Sequence, residues 1–237
     1  CGKIIRNVLE IGRKYMSETE QTSSLQAPCT FILVRHGETA SNVRNTFRGR
    51  TDVPLNETGL AQAQAVAARI TQGWHPAAVY ASPIKRAMQT AQIIGERCQL
   101  TPIPYQAIID IDFGQWTGLP FDEVKQRWPE ELDNWIAHPG ETHIPGGESL
   151  AEMHLRARQA LRELSVRHSG QTVILVGHTV INRVLIMETV DIPDDCFWYI
   201  GQDTCALNLI RAEINGRYSL LSLNDTCHLS SNSKKAD

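Results

Sequence analysis

The sequence predicts an α/β fold, a three-layer α/β/α sandwich whose mainly parallel mixed sheet is closed by an antiparallel edge. Two observations carry this expectation. From Phe31 onward, short apolar runs alternate with longer segments of helical period; near the end, two apolar runs flank an Asn-Gly turn.

The elements follow in order. Residues 1–28 differ from the rest: Ile4, Val8, Ile11 and Tyr15 fall at helical spacing among Lys3, Arg6, Arg13 and Lys14, and SETEQTSSLQAP then reads as a polar linker. This segment is expected to be a tail with one amphipathic helix and no chemistry. The sequence starts at Cys1 while Met16 stands just before the linker, so an uncertain start site or a processed precursor is expected there. The body, residues 29–226, is expected to be one catalytic domain, and 227–237 a polar tail.

Within the body, FILV at 31–34 is a buried strand. LNETGLAQAQAVAARI at 55–70 is a helix with Asn56 as N-cap and Leu60, Gln64, Ala67 and Ile70 on one face. AAVYAS at 77–82 reads as a strand, and 83–98 as a helix with Pro83 in its first turn. Residues 101–118 are irregular, and 120–138 offer short helices broken at Pro129. A Ser149 cap opens a long amphipathic helix, TVILVGH at 172–178 is a buried strand running into a histidine, and 205–224 form the hairpin.

Charge and cysteine content narrow the function. A formal net charge of -3 provides no global basic field to attract nucleic acid, and no apolar run is long enough to span a membrane, so neither partner is expected. Cys1, Cys29, Cys98, Cys196, Cys205 and Cys227 lack C-x-x-C pairing; buried thiols in a cytoplasmic protein are the expectation.

Three strand ends suggest the chemistry, because ligands of open α/β sheets bind beyond the carboxyl ends of the strands. The first ends in Arg35-His36-Gly37, followed by Glu38-Thr39-Ala40-Ser41-Asn42, which is expected to offer backbone N–H groups at a helix N-terminus. The strand at 172–176 ends in Gly177-His178, and the strand at 77–82 leads to Lys85 and Arg86. Two histidines and two or three cations facing one spot suit phosphoryl transfer, with an imidazole nucleophile and guanidinium forks spreading positive charge over phosphate oxygens. On the residues alone, a metal site and an anion-binding module stay open beside it. His138 and His143 flank a turn, and His75, His154, His168 and His228 are scattered without ligand spacing, so surface histidines and no metal are expected.

The strings RHGETASN, FRGRTDVPLNETG, SPIKRAMQTA, DIDFGQWTG, PGGES and VGHTVINRVL together resemble the histidine phosphatase superfamily, in the branch of phosphoglycerate mutases and their phosphatase relatives, over roughly residues 30 to 215. The resemblance implies a phosphoglycerate mutase-like fold and a metal-independent phosphatase acting on a small phosphorylated metabolite, with no cofactor. It implies His36 as the nucleophile that becomes phosphohistidine, with Arg35, Arg86, His178 and Asn42 around the phosphoryl group.

The family's general acid is usually a glutamate four residues before the glycine of its DFG-like string; here that position is Asp110, with Asp112 and Glu38 as lesser candidates. An aspartate, with an ordinary pKa of ~3.9, needs desolvation or a bound dianion to act as an acid near neutrality. Many phosphatase relatives read F-Q-G where this chain has Phe47-Arg48-Gly49, and Arg48 would favour a substrate with a second anionic group. Mutases of the family carry a longer basic insertion after the acid. The stretch from Gly118 to Gly146 is short, acidic and marked by Trp128 and Trp135, which favours hydrolysis over mutase transfer or a non-catalytic phosphate-binding module.

Overall fold

The computed structural model describes residues 26–40 and 46–229. The expectations for the N-terminal tail, for Asn42 and for most of the C-terminal tail lie outside them. Twelve elements build the body: β1 (Cys29–Arg35), α1 (Glu57–Gly73), β2 (Pro76–Ala81), α2 (Lys85–Cys98), β3 (Ile103–Pro104), α3 (Phe121–Arg127), α4 (Pro129–Ala137), α5 (Leu150–Arg167), β4 (Thr172–Gly177), α6 (Thr179–Val190), β5 (Leu207–Ala212) and β6 (Tyr218–Asp225).

The six strands lie in the order β3-β2-β4-β1-β5-β6. The β1–β4, β4–β2 and β2–β3 pairs are parallel, whereas β5 and β6 run antiparallel at one edge. Strand pleating sends successive side chains to opposite faces. Phe31, Leu33, Val173 and Leu175 therefore join one apolar layer with α5 and α6, while Ile32, Val34, Ile174 and Val176 join the other with α1 and α2. Both faces being covered explains why the central strands read as continuous apolar runs rather than alternating ones.

Local chemistry sets the helix starts. Asn56 caps α1, its side-chain oxygen accepting the Gly59 N–H at 2.8 Å. Ser149 and Glu152 form a capping box at the start of α5. The chain breaks between α3 and α4 at Trp128-Pro129, as expected, because proline can open a helix but not continue one.

Several expectations need correction. The buried stripe of α1 is Gly59, Ala63, Val66, Ala67 and Ile70, whereas Leu60 and Gln64 face solvent. The small residues face inward because α1 packs closely on α2. Pro83 precedes the Ile84 N-cap of α2 instead of lying in its first turn. The stretch 101–118 contains β3 and two short 3-10 turns, and the hairpin turn spans residues 213–217. Cys227–Leu229 fold into a 3-10 turn held by the contact of His228 Nε2 with the Cys205 carbonyl, so the expected tail is anchored at its start. Of the five described cysteines, all thiols, only Cys29 and Cys205 are buried.

Candidate active site

The carboxyl ends of β1, β2 and β4 meet at one pocket of about 710 Å³. A close approach of two glycines fixes its floor. A Cβ on Gly37 would lie 2.5 Å from the Gly59 carbonyl oxygen, and one on Gly59 would lie 2.1 Å from that of Glu38, so the loop after β1 rests directly on the first turn of α1. The Gly37 and Glu38 N–H groups donate to Thr90 Oγ1 and Gln62 Oε1 at 3.1 and 2.9 Å. The Glu38 N–H is therefore not one of the free donors expected of residues 38–42, of which Ser41 and Asn42 lie outside the described residues.

His36, buried at 2% exposure, lies at the centre. Its Nδ1 is 2.7 Å from the Gly37 carbonyl oxygen, which can only accept, so Nδ1 carries the proton and Nε2 carries the lone pair. Arg86 Nε donates to that Nε2 at 3.2 Å. Burial, reinforced by the charges of Arg86 and Arg35, holds the His36 pKa well below the ordinary histidine range. The ring is thus neutral near pH 7, the form in which imidazole attacks.

Arg86, fully buried at the start of α2, is held from several sides. Its terminal nitrogens donate to the Thr51 and Gly49 carbonyls at 2.7 and 2.8 Å and to Asp110 Oδ2 at 3.1 Å. Gly49, expected to bind substrate, lines the pocket and also anchors this arginine. Arg35 donates to the Gln202 carbonyl, and its Nε has no partner among the described residues. Burial, with help from Arg48, lowers the Arg35 pKa to about 10, which leaves it charged at neutrality. His178, buried at the N-cap of α6, pairs through Nε2 with Ser82 Oγ at 2.8 Å. Its unpartnered Nδ1 lies 3.7 Å from Asp110 Oδ2, and the two histidine rings are 5.1 Å apart between centroids.

Asp110 is shifted in the direction that an acid near neutrality requires. At 8% exposure its carboxyl is raised above the ordinary aspartate range, burial outweighing the opposing pull of Arg86 and the Ile111 N–H. The lesser acid candidates are committed elsewhere: Asp112 pairs with Arg50 at 3.2 Å, and Glu38 accepts from Asn56 Nδ2 at 2.8 Å. Lys85 is exposed and absent from the pocket lining, so the site's cations are arginines. Arg48 lines the pocket, and no hydrogen bond or ion pair ties its guanidinium to a described residue.

The outer pocket is apolar. The Gly118 to Gly146 stretch folds as α3 and α4, and contributes Phe121, Leu132, Trp135 and Ile136 to the wall, facing Phe47 and Trp198. Sequence reasoning missed Ser82, Arg183 and Gln202. Ser82 and Arg183 lie inside SPIKRAMQTA and VGHTVINRVL, three residues before the arginine-bearing α2 and five residues beyond His178, so a signal existed for both. Gln202 has none, because it holds Arg35 through a backbone carbonyl.

Among the described residues, no group of three or more His, Cys, Asp or Glu side chains is placed to hold a metal ion. His154 departs from the expectation of surface histidines, pairing with Glu188 at 2.6 Å and Asp194 at 2.9 Å. Among the described residues no helix is long and apolar enough to cross a membrane.

The family model of the histidine phosphatase superfamily (branch 1) matches residues 31–226, which takes in the sheet, except the first two residues of β1, and every pocket element described above. The chain belongs to this superfamily. Phosphoserine phosphatase 1 of Hydrogenobacter thermophilus is 37% identical over 84% of this chain and 93% of its own length. Metal-independent phosphoserine phosphatase of Arabidopsis thaliana is 31% identical over 84% of this chain and 83% of its own. Among solved structures, Bacillus stearothermophilus YhfR matches with a TM-score of 0.80 and 29% identity, covering 85% of this chain and 99% of its own. As a histidine phosphatase the chain is a phosphoric monoester hydrolase, with the phosphoglycerate mutase-like sandwich expected from its sequence.

Proposed function

We propose that this histidine phosphatase hydrolyses small phosphate monoesters carrying a second anionic group through a phosphohistidine on His36, without a metal. One observation carries the reading: a buried neutral imidazole presents its bare Nε2 beside the guanidinium of Arg86 and within the pocket that also holds the Asp110 carboxyl. An incoming phosphoryl group takes over the Arg86 Nε–H and the unpartnered Nε–H of Arg35, and Asn42 joins them by family resemblance.

His36 Nε2 then attacks phosphorus, the P–O ester bond breaks, and its electron pair leaves on the alcohol oxygen, which takes the proton of Asp110. Arg35, Arg86 and the Nδ1 edge of His178 stabilise the charge redistributed onto the non-bridging oxygens. In the second step water attacks the phosphohistidine, gives its proton to the Asp110 carboxylate and releases inorganic phosphate, restoring both groups.

Arg48 supports the second anion, since a half-buried guanidinium without an acceptor among the described residues suits a carboxylate or further phosphate on the substrate. O-Phosphoserine is the first compound to test, because two similar proteins are phosphoserine phosphatases. The five described thiols support a cytoplasmic location.

The test is to mix the protein with a labelled phosphate ester and quench in base and in acid. A phosphoenzyme stable in base and labile in acid, formed by the wild type and not by His36→Ala, together with release of inorganic phosphate, is expected. An isomerised ester in place of phosphate would mark a mutase, and neither phosphoenzyme nor phosphate with any ester would mark a binding module.

A further inference from the structure

Behind Arg35 lies a group of buried amides that the phosphoryl chemistry does not explain. Among the described residues, the Arg35 side chain has one protein hydrogen bond, to the Gln202 carbonyl. Its aim toward the phosphoryl site therefore depends on where that carbonyl sits. The carbonyl belongs to the irregular segment between α6 and β5, whose backbone is fastened at Cys205, donating to the Arg35 carbonyl at 3.0 Å, and at Ala206, donating to the Asp203 carbonyl at 3.1 Å.

At Gln202 itself side chains do the holding. Gln202 and Asn208, at 5% and 0% exposure, bond reciprocally: Gln202 Nε2 donates to Asn208 Oδ1 at 2.8 Å, and Asn208 Nδ2 donates to Gln202 Oε1 at 3.1 Å. Gln202 Oε1 also accepts from Asn182 Nδ2 at 3.4 Å, on the helix that His178 caps. Asn208 Nδ2 reaches the Leu33 carbonyl of β1 at 3.4 Å, two residues before Arg35. The β5–β6 register shifts at this point, and Asn208 Oδ1 accepts the Asn224 N–H at 2.8 Å. Asn224 in turn holds Asp203 at the pocket rim, its Oδ1 taking the Asp203 N–H at 2.7 Å and its Nδ2 reaching the Asp203 carboxylate at 2.8 Å. Amides are costly to bury and interrupt an otherwise apolar sheet; here the pair ties the segment that carries the Arg35 acceptor to β1, β6 and α6.

We propose that Asn208, acting through Gln202, is a positioning residue that sets the Arg35 guanidinium toward the phosphoryl group. The inference rests on the reading that Arg35 binds phosphate. Neither amide touches the reacting atoms in this role; the pair fixes a carbonyl, the carbonyl fixes the arginine, and the arginine meets the substrate.

The test measures competitive inhibition by inorganic phosphate, and kcat and KM on O-phosphoserine, for wild type, Asn208→Ala, the near-isosteric Gln202→Met, Arg35→Ala and the two double variants with Arg35→Ala. Each amide variant is expected to weaken phosphate binding by about 10- to 100-fold, the scale of a misplaced binding group. On the Arg35→Ala background neither should cause further loss, because the residue they act through is gone. Gln202 lies outside the sheet, so Gln202→Met carries the test where Asn208→Ala yields no folded protein. Unchanged phosphate inhibition in the folded amide variants, or losses that add to that of Arg35→Ala, would overturn the proposal. If Arg35→Ala itself leaves phosphate binding unchanged, the phosphate reading of this site fails first and the proposal falls with it.

Discussion

Replacing Asp110 by asparagine separates acid catalysis from everything else the carboxyl does. In the protein one oxygen of Asp110 accepts from Arg86 at 3.1 Å and the other from its neighbouring Ile111 N–H at 3.1 Å. An amide keeps the shape and one acceptor oxygen, while Arg86 retains the Thr51 and Gly49 carbonyls. Phosphate binding should therefore change little, and what disappears is the proton for the leaving oxygen. General acid catalysis contributes about 10²- to 10³-fold in such a step, or roughly 3 to 4 kcal/mol of barrier.

The assay compares an alkyl phosphate, whose alkoxide needs that proton, with p-nitrophenyl phosphate, whose leaving group does not. The alkyl ester should lose about 10²- to 10³-fold in kcat/KM and the aryl ester less than about tenfold. The pH profile provides a second check. Wild-type activity requires Asp110 protonated, so it falls as pH rises through a pKa that burial raises; it requires His36 unprotonated, so it falls as pH drops through a pKa held well below the ordinary histidine value. In Asp110→Asn the alkaline limb should vanish with the alkyl ester while the acid limb stays. Equal losses on both esters, or an unchanged alkaline limb, would refute the assignment and move the acid elsewhere.

Three further outcomes are expected. Arg48→Gln should raise KM for O-phosphoserine by about tenfold and leave ethyl phosphate nearly unchanged, the scale of one charge-assisted contact; matched changes would remove Arg48 from recognition. Prolonged treatment with a chelator, followed by steady-state assay, should leave kcat intact, and recovery of a lost rate on adding a divalent ion would contradict a mechanism run by histidine and arginine alone. Ser149→Ala breaks the capping box of α5 and should lower stability by about 1 kcal/mol in urea denaturation with kcat unchanged; no shift in the midpoint would mean that water caps the helix as well as the serine does.

Much of the fold was legible because the signals are local and redundant. Apolar runs ending in His36 and His178, the Asn56 and Ser149 caps, Pro129 and the Asn-Gly turn each act within a few residues of chain, so the sequence by itself determined the alternation of strands and helices and which strand ends carry chemistry. Arg35, His36, Arg86 and His178 stand out the same way, each beside an element boundary, whereas Asp110 stands out only through the family resemblance; the fold brings all five together.

Tertiary structure decided what depends on neighbours distant in sequence. Periodicity placed Leu60 on the buried face of α1, but the helix packs Ala63, Val66, Ala67 and Ile70 into the apolar layer it shares with α2 and the sheet, leaving Leu60 to solvent. The protonation states are likewise properties of the assembled site: the Gly37 carbonyl selects the His36 tautomer, and burial raises the Asp110 carboxyl against the opposing pull of Arg86, while Asp112, two residues on, pairs with Arg50 in contact with solvent. Gln202 marks the limit most clearly. It holds Arg35 through a backbone carbonyl, a group every residue has, so no side-chain pattern could announce it, and only the packing of β1, α6 and β5 around one buried amide pair puts that carbonyl in place.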